Sequence, residues 1–153
     1  MLKKKILLIS IITLLLVIIF HYFALENEWY WRVRWIDIPA HIIGGFGVAL
    51  FSLWLALKFN HINNICNYKP KAFLAVLVSV LAVAAVWEIF ELIFKFTHFG
   101  YANYLSGAML DIFFSLVGGI FAYLYFIKYK NTQCCIDHND ITKHYCEHLK
   151  NKK

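Results

Sequence analysis

The sequence predicts an all-α, polytopic membrane protein, with four transmembrane helices in a compact bundle and both termini in the cytoplasm. Three observations support this prediction. Hydrophobic residues make up 61% of the 153 residues and the mean hydropathy is +0.63, which is more apolar surface than one soluble core of this size needs. The apolar residues form four long stretches. The basic residues flank those stretches instead of lining one groove.

Each apolar stretch has close to the ~20 residues with which a helix, rising ~1.5 Å per residue, crosses ~30 Å of hydrocarbon. Because hydrocarbon offers no partner to an open peptide group, stretches of this length are expected to be helices. Their bounds are residues 6–24, 38–57, 72–94 and 108–127. Residues 1–130 are therefore predicted to form the transmembrane domain, and residues 131–153 a basic cytoplasmic tail.

The first stretch follows Lys3, Lys4 and Lys5, as the apolar region of a secretory signal peptide also would. It is longer than such a region, and no small-residue cleavage site follows it before Glu26. We expect an uncleaved membrane anchor.

The basic residues predict the orientation, because short cytoplasmic loops retain lysine and arginine. With the N-terminus inside, only Arg32, Arg34 and Lys95 lie outside. The other 12 of the 15 lie inside: Lys3, Lys4, Lys5, Lys58, Lys69, Lys71, Lys128, Lys130, Lys143, Lys150, Lys152 and Lys153. This predicts a multi-pass membrane protein with both termini on the cytoplasmic side. The net charge of +6 is explained by topology, so no nucleic-acid partner is expected.

The segment 28–35 is rich in tryptophan and carries Arg32 and Arg34. In the predicted topology it lies at the outer surface, where aromatic rings favour the headgroup layer and arginines can meet lipid phosphates. We interpret it as an interfacial belt that anchors the protein. A substrate-binding role is the alternative.

Five ionisable side chains fall within the apolar stretches, and the predicted topology places all of them in the outer half of the membrane: Asp37, His41, Glu88, Glu91 and Asp111. Asp37 and His41 are four positions apart, and Glu88 and Glu91 are three apart, so each pair shares one helix face. The helical rise places all five within roughly 10 Å of depth. Small residues at helical spacing, such as Gly44 and Gly118, favour close approach of the same faces. We therefore predict one polar cluster, which is the candidate catalytic site.

Each member also has an ordinary structural explanation. Asp37 and Asp111 are predicted at helix N-termini, where a carboxylate can cap free backbone N–H groups. His41 could be a core histidine with satisfied hydrogen bonds, and Glu91 could reach the interface by extending its side chain. Glu88 is harder to explain in this way, since an ionised carboxylate at this depth costs at least ~2.5 kcal/mol without a partner or a cavity. The alternative to a functional site is a buried network that stabilises the bundle.

Four carboxylates and one imidazole in a low-dielectric layer cannot all carry their solution charges. Three ways to balance the charge remain open: protons shared among the carboxylates, Arg32 or Arg34 folded over the site, or a bound divalent cation. The candidate ligands for a cation are His41, Glu88, Glu91 and Asp111. This set suits magnesium, manganese or zinc, and it matches neither the Glu-x-x-His spacing of di-iron bundles nor a His-Glu-x-x-His zinc motif.

A family resemblance is carried by residues 37–46 (DIPAHIIGGF), by residues 87–91 (WEIFE), and by Asp111 followed by Gly118 and Gly119. The chain from about 35 to 125 resembles small bacterial integral membrane proteins of the YjdF type and, more distantly, VanZ-like proteins. Many members carry a further aspartate shortly before the position of Asp111, where this chain has residues 106–108 (SGA). The resemblance implies a multi-helix membrane fold and, through the association of VanZ-like proteins with glycopeptide-antibiotic resistance, a role at the cell envelope.

Cysteines and histidines near the C-terminus are a second candidate for metal binding. The sequence from Cys134 to His138 (CCIDH) and that from His144 to His148 (HYCEH) offer thiolates and imidazoles, the usual ligands of zinc. Their spacing fits no strong zinc pattern, so a disordered or loosely helical basic tail is expected instead. Cys66 falls on the same predicted cytoplasmic side, where structural disulfides are not expected.

Function is therefore narrowed to three hypotheses about the cluster. The first is acid–base or metal-assisted chemistry on a lipid or an envelope substrate, with His41 as proton carrier. The second is a non-enzymatic binder or transporter of protons, cations or another ligand, which would need to form a homo-oligomer because four short helices are few. The third is a structural accessory protein of the envelope. The lipid bilayer is the one partner that all three share, and a divalent cation is the only cofactor that the residues suggest.

Overall fold

The structure, a computed structural model, describes residues 2–33, 35–59, 68–94 and 101–137. Five helices occupy these ranges: α1 (Leu2–Glu26), α2 (Trp29–Arg32), α3 (Asp37–Lys58), α4 (Tyr68–Phe94) and α5 (Tyr101–Asp137). No strand occurs within the described ranges. The predicted all-α fold is thus confirmed.

Four of these helices are long and apolar enough to cross a membrane, over Lys3–Glu26, Asp37–Lys58, Lys69–Ile93 and Ser106–Lys130. Each is close to the length that the bilayer requires. The prediction of four spans is confirmed at this level, while the location of both termini in the cytoplasm remains a prediction. Helix α5 begins earlier and ends later than the predicted apolar stretch 108–127, so it includes the start of the tail.

The short helix α2 was not predicted as an element. Glu28 adopts a left-handed conformation (φ 57°) after α1 ends, and this residue turns the chain into α2. Trp29 and Trp35 remain exposed, as expected for interfacial anchors. Tyr30, the residue after Trp29 in the same single turn, is buried. The segment therefore contains a side chain that does not fit a purely anchoring role.

By contacts the chain divides into two compact units, Met1–Tyr123 and Leu124–Lys153. In the first unit α3 packs against both α1 and α4, and α3 has the largest buried share of the four spans. Ser10 of α1 donates a hydrogen bond to the carbonyl oxygen of Gly47 in α3 (2.9 Å). Polar contacts of this kind help to hold helices together in lipid, where the hydrophobic effect does not drive one apolar helix against another. Helix α3 is the element around which the site is built.

Candidate functional site

His41 is the centre of the candidate site, and it is only 8% exposed. Its Nε2 lies 3.4 Å from Oδ2 of Asp37, one turn earlier on α3. The same Nε2 lies 3.8 Å from Oδ1 of Asp111 on α5. Two carboxylates from two helices therefore face one imidazole nitrogen, an arrangement that stabilises an imidazolium and orients the ring.

Ser115 occupies the other side of the ring. Its Oγ lies 3.3 Å from Nδ1 of His41, and the side chain is buried. Ser115 was not among the five residues predicted to form the cluster. Its position four residues after Asp111 was the available signal, because that spacing puts both side chains on one face of α5. Both ring nitrogens of His41 thus have a polar neighbour.

Close approach of α3 and α5 makes these contacts possible. A Cβ atom on Gly45 would collide with the backbone of Ser115, and a Cβ atom on Gly118 would collide with the backbone of Ile42. Only glycine at both positions allows the two backbones to lie this near, as in small-residue packing of membrane helices generally. The two glycines therefore set the distance between His41 on α3 and Asp111 on α5.

Glu88 and Glu91 of α4 are also buried, at 7% and 4% exposure. The Nε1 of Trp87 donates a hydrogen bond to Oε1 of Glu91 (2.8 Å). Both glutamates interact electrostatically with each other and with Asp37, His41 and Asp111. All five predicted residues therefore lie within electrostatic range of one another, on three helices.

An aromatic layer closes this end of the first unit. Nδ1 of His21, on α1, lies 2.7 Å from the hydroxyl oxygen of Tyr30, and the His21 ring packs edge-on against Trp87 at 5.1 Å. Burial, together with the negative charges of Asp37 and Glu91, raises the pKa of Tyr30. The hydroxyl therefore keeps its proton at neutral pH and can donate a hydrogen bond to His21. Neither His21 nor Tyr30 was predicted to belong to the site, because no spacing rule links α1 to α2.

A cavity of about 280 Å³ lies next to His41. Four of the residues that line it have polar side chains: Asp37, His41, His21 and Ser115. The remaining wall is apolar and comes from α1, α3 and α4: Leu14, Val17, Ile18, Ala40, Gly44, Gly45, Val48, Val80, Val83, Ala84 and Trp87. A concave apolar site with a few convergent polar groups is the usual form of a small-molecule site in proteins.

The explanation of Asp111 as a helix cap is wrong, because α5 begins at Tyr101 and Asp111 lies well inside it. Asp37 does lie in the first turn of α3, but the N-cap residue is Ile36 and no side chain caps the helix there. The carboxylate of Asp37 is directed to His41 instead. Asp111 is thus remote from the start of its helix, and Asp37 lies in the first turn of α3 without capping that helix through its side chain.

The charge-balancing alternatives can be compared with these positions. Arg32 is exposed, and its guanidinium lies 3.9 Å from the carboxylate of Glu28. Arg34 lies outside the described residues. Oxygen and nitrogen atoms of Asp37, His41 and Asp111 lie within 4.8 Å of one another and could hold a metal ion. Glu88 and Glu91 stand outside this group of three, so the predicted ligand set of His41, Glu88, Glu91 and Asp111 remains a prediction.

The C-terminal cysteines and histidines that could bind zinc lie largely outside the residues that the structure describes. Cys66 and residues 138–153 lie outside the described residues, and Cys134 and Cys135 fall in α5 without described side chains. Zinc binding there stays a prediction.

Comparison with known proteins gives one family. A family model described as "Predicted membrane protein (DUF2238)" matches residues 3–132. No curated protein matches the chain, and no solved structure matches it. The matched range includes all four spans and the whole Asp/His/Glu cluster. The chain therefore belongs to the DUF2238 family of membrane proteins.

Proposed function

We propose that this protein is a membrane enzyme in which His41 transfers a proton to or from a lipid or a lipid-linked envelope substrate. The observation that carries the proposal is the placement of His41 between Asp37, Asp111 and Ser115 at the wall of the cavity. A histidine is the side chain best suited to acid–base work near neutral pH, provided that neighbouring groups orient it.

The neighbours of His41 support this role in distinct ways. Asp37 and Asp111 face Nε2 and stabilise the charge that appears when the imidazole gains a proton. Ser115, at Nδ1, restrains rotation of the ring. Glu88 and Glu91 add two further groups that can exchange protons with the cluster. Their burial in an apolar region favours proton transfer to a bound molecule over exchange with bulk water.

A second candidate function is divalent-cation binding, either for metal-assisted chemistry or for cation transport. It is favoured by the three ligand atoms of Asp37, His41 and Asp111 that lie within 4.8 Å of one another. Zn²⁺ takes both imidazole nitrogen and carboxylate oxygen at about 2.0–2.2 Å, so a modest contraction of this group would complete three ligands. In that case His41 is a ligand and not the proton carrier.

The cellular location in the proposal is the one that the sequence predicts. It requires that the cluster lies at the outer side of a bacterial cytoplasmic membrane, as the distribution of lysines predicts. The resemblance to YjdF-type and VanZ-like proteins agrees with an envelope substrate and transfers no reaction. A homo-oligomer is needed only for the transport version.

The test of the acid–base proposal compares lipid extracts from cells that lack the gene with extracts from cells that express the wild type or His41→Gln. Mass spectrometry should find at least one lipid species that changes in abundance with the wild type and not with His41→Gln. Glu26→Gln is the matched control, since Glu26 is exposed and lies outside the cluster. If wild type and His41→Gln give the same lipid profile, the acid–base proposal is wrong.

The second candidate is tested on purified protein. After treatment with a chelator, the protein is titrated with MgCl₂, MnCl₂ and ZnCl₂ in a calorimeter. Binding that Asp111→Asn removes and Glu26→Gln retains supports the cation site, because a metal needs its full set of ligands. Heat no greater than that of the Asp111→Asn protein for all three ions rejects it.

A further inference from the structure

The cavity beside His41 has a shape that specifies its ligand. We propose that it holds the single apolar chain of an amphiphile whose hydroxyl or ammonium headgroup contacts Asp37 and His41. This inference rests on the proposed function, because it names the substrate class of the same site. It is nevertheless testable without any knowledge of the reaction.

The cavity runs along the helices, away from the polar cluster. On α3 its wall extends from Asp37 to Val48, which is about 16 Å of helix at ~1.5 Å per residue. At the end away from Asp37 it is bounded by Leu14, Val48 and Val80, one residue from each of three helices. A long narrow space with polar groups at one end and aliphatic side chains at the other matches a single-chain amphiphile better than a compact polar molecule.

Small residues create this space. Gly44 and Ala84 face the cavity from α3 and α4. A Cβ atom on Gly44 would have Cγ1 of Val17 as its nearest neighbour, at 4.0 Å, so the backbone there is not in close contact with another helix. The adjacent Gly45 differs, since its Cβ atom would collide with Ser115. Two consecutive glycines thus have different roles: Gly45 brings α5 close, and Gly44 leaves room for a ligand.

The cavity is reached from the lipid-facing surface. Ile18 of α1 and Val83 of α4 both line it, and they are 64% and 48% exposed. In a membrane, exposed aliphatic side chains on two spanning helices face lipid. An apolar chain can therefore enter sideways from the bilayer without passing through water.

The headgroup class follows from charge. The cluster contains four carboxyl groups, from Asp37, Glu88, Glu91 and Asp111, and the imidazole of His41. Among the described residues that line the cavity, none is lysine or arginine. Asp37 is the carboxylate that lines the cavity, so a phosphate or carboxylate headgroup would meet a like charge with no cation beside it, whereas a hydroxyl or an ammonium group can donate a hydrogen bond to Asp37.

The test uses the full chain in vesicles of phosphatidylcholine and phosphatidylglycerol, with a long-chain fatty alcohol that carries a photoreactive diazirine in its chain. After irradiation, mass spectrometry should find adducts on cavity residues such as Val48 and Val80. Ala84→Leu and Gly44→Leu fill the cavity and should each reduce this labelling several-fold. Ala85→Leu is the matched control, because Ala85 is the exposed neighbour of Ala84 and the substitution is the same.

Competition with unlabelled amphiphiles tests the headgroup assignment, and the leucine variants test whether the probe occupies the cavity. Unlabelled fatty alcohol or fatty amine should displace the probe, and an alkyl phosphate of the same chain length should not. Equal labelling of cavity residues in wild type, Gly44→Leu and Ala84→Leu would overturn the inference, as would adducts confined to lipid-facing residues. Better displacement by the alkyl phosphate would overturn the headgroup assignment.

The result can be separated from that of the proposed function. Gly44→Leu and Ala84→Leu change only the apolar wall, so their effect on labelling does not depend on proton transfer by His41. Labelling that Ala84→Leu reduces, together with a lipid profile that His41→Gln does not change, would reject the acid–base proposal and leave the ligand inference standing. The opposite pair of results would reject the ligand inference alone.

Discussion

Ser115 Oγ lies 3.3 Å from Nδ1 of His41, on the opposite side of the ring from Asp37 and Asp111. An uncharged side chain thus defines the orientation of the one imidazole within the five-residue cluster. Because both nitrogens have polar neighbours, the ring has a preferred rotation in which Nε2 faces the two aspartates. Loss of the contact at Nδ1 or at Nε2 should impair the role of His41 more than it impairs folding.

Ser115→Ala removes the contact at Nδ1 and keeps the small volume. We expect the free energy of unfolding to fall by about 0.5–1.5 kcal/mol, the net contribution of one hydrogen bond. The His41-dependent change in lipid profile should weaken, because the ring is less restrained. Thermal unfolding and lipid mass spectrometry are the two measurements.

Ser79→Ala is the control for that substitution, since the hydroxyl of Ser79 donates to the carbonyl of Val76 within its own helix (3.1 Å). It should leave the lipid profile unchanged. Equal effects of Ser115→Ala and Ser79→Ala on the lipid profile would contradict a positioning role for Ser115.

Gly45→Ala should destabilise the protein strongly, because the added Cβ atom collides with the backbone of Ser115. Overpacking of this kind costs about 1–3 kcal/mol or more when backbone must move. Gly118→Ala should behave in the same way against Ile42. Thermal unfolding in detergent measures both effects.

Two other glycines provide controls for this prediction. Gly107 has nothing within 4 Å of its Cβ position, and Gly44 has its nearest side-chain atom at 4.0 Å. Gly107→Ala and Gly44→Ala should be neutral or stabilising, by up to about 1 kcal/mol, since alanine favours a helix more than glycine does. Similar losses of stability at all four positions would show that α3 and α5 are not in close contact at Gly45 and Gly118.

Tyr30 should make the free energy of unfolding decrease at alkaline pH. Its pKa in the folded protein is raised by burial and by nearby negative charge from an ordinary value of 10.0. Above pH 10 the unfolded chain loses the phenolic proton while the folded chain retains it, so stability should fall as the pH rises beyond that value. Below pH 10 this contribution is complete.

The measurement compares wild type with Tyr30→Phe between pH 8 and pH 11. At pH 8 the variant should be less stable, because the hydrogen bond to His21 is lost. The difference should shrink towards pH 11, since phenylalanine has no proton to lose. A difference that stays constant over this range would mean that Tyr30 titrates normally in the fold.

Reporter fusions after residues 63 and 103 test the predicted topology. Residue 63 should report the cytoplasm, because lysines flank the connection between α3 and α4. Residue 103 should report the outside, because few basic residues surround the connection between α4 and α5. The same side at both positions would be incompatible with a membrane-crossing α4.

The membrane assignment and the members of the cluster could be predicted from the sequence, because both depend on local properties. Hydropathy over ~20 residues is enough to identify a span. An ionisable side chain within a span, such as Glu88, is notable in any fold because its burial is costly. The helical repeat then relates Asp37 to His41 on one face without further information.

The assembly of the site depends on tertiary structure. His41 and Ser115 are 74 positions apart, and their contact depends on how α3 and α5 are rotated about their axes. Four spans give no rule for that rotation, since lipid tails are as apolar as the buried faces and hydrophobicity cannot distinguish the two. The pairing of His21 with Tyr30 depends in the same way on the left-handed turn at Glu28.

The sequence by itself determined that this protein spans a membrane and carries acids and a histidine within its spans, because transfer free energy belongs to each residue and its near neighbours. Only the tertiary structure decided that Gly45 closes the α3–α5 contact while Gly44 opens onto a cavity. The two glycines are chemically identical and adjacent. What separates them is the neighbour that each one meets, and that neighbour exists only after the helices have packed.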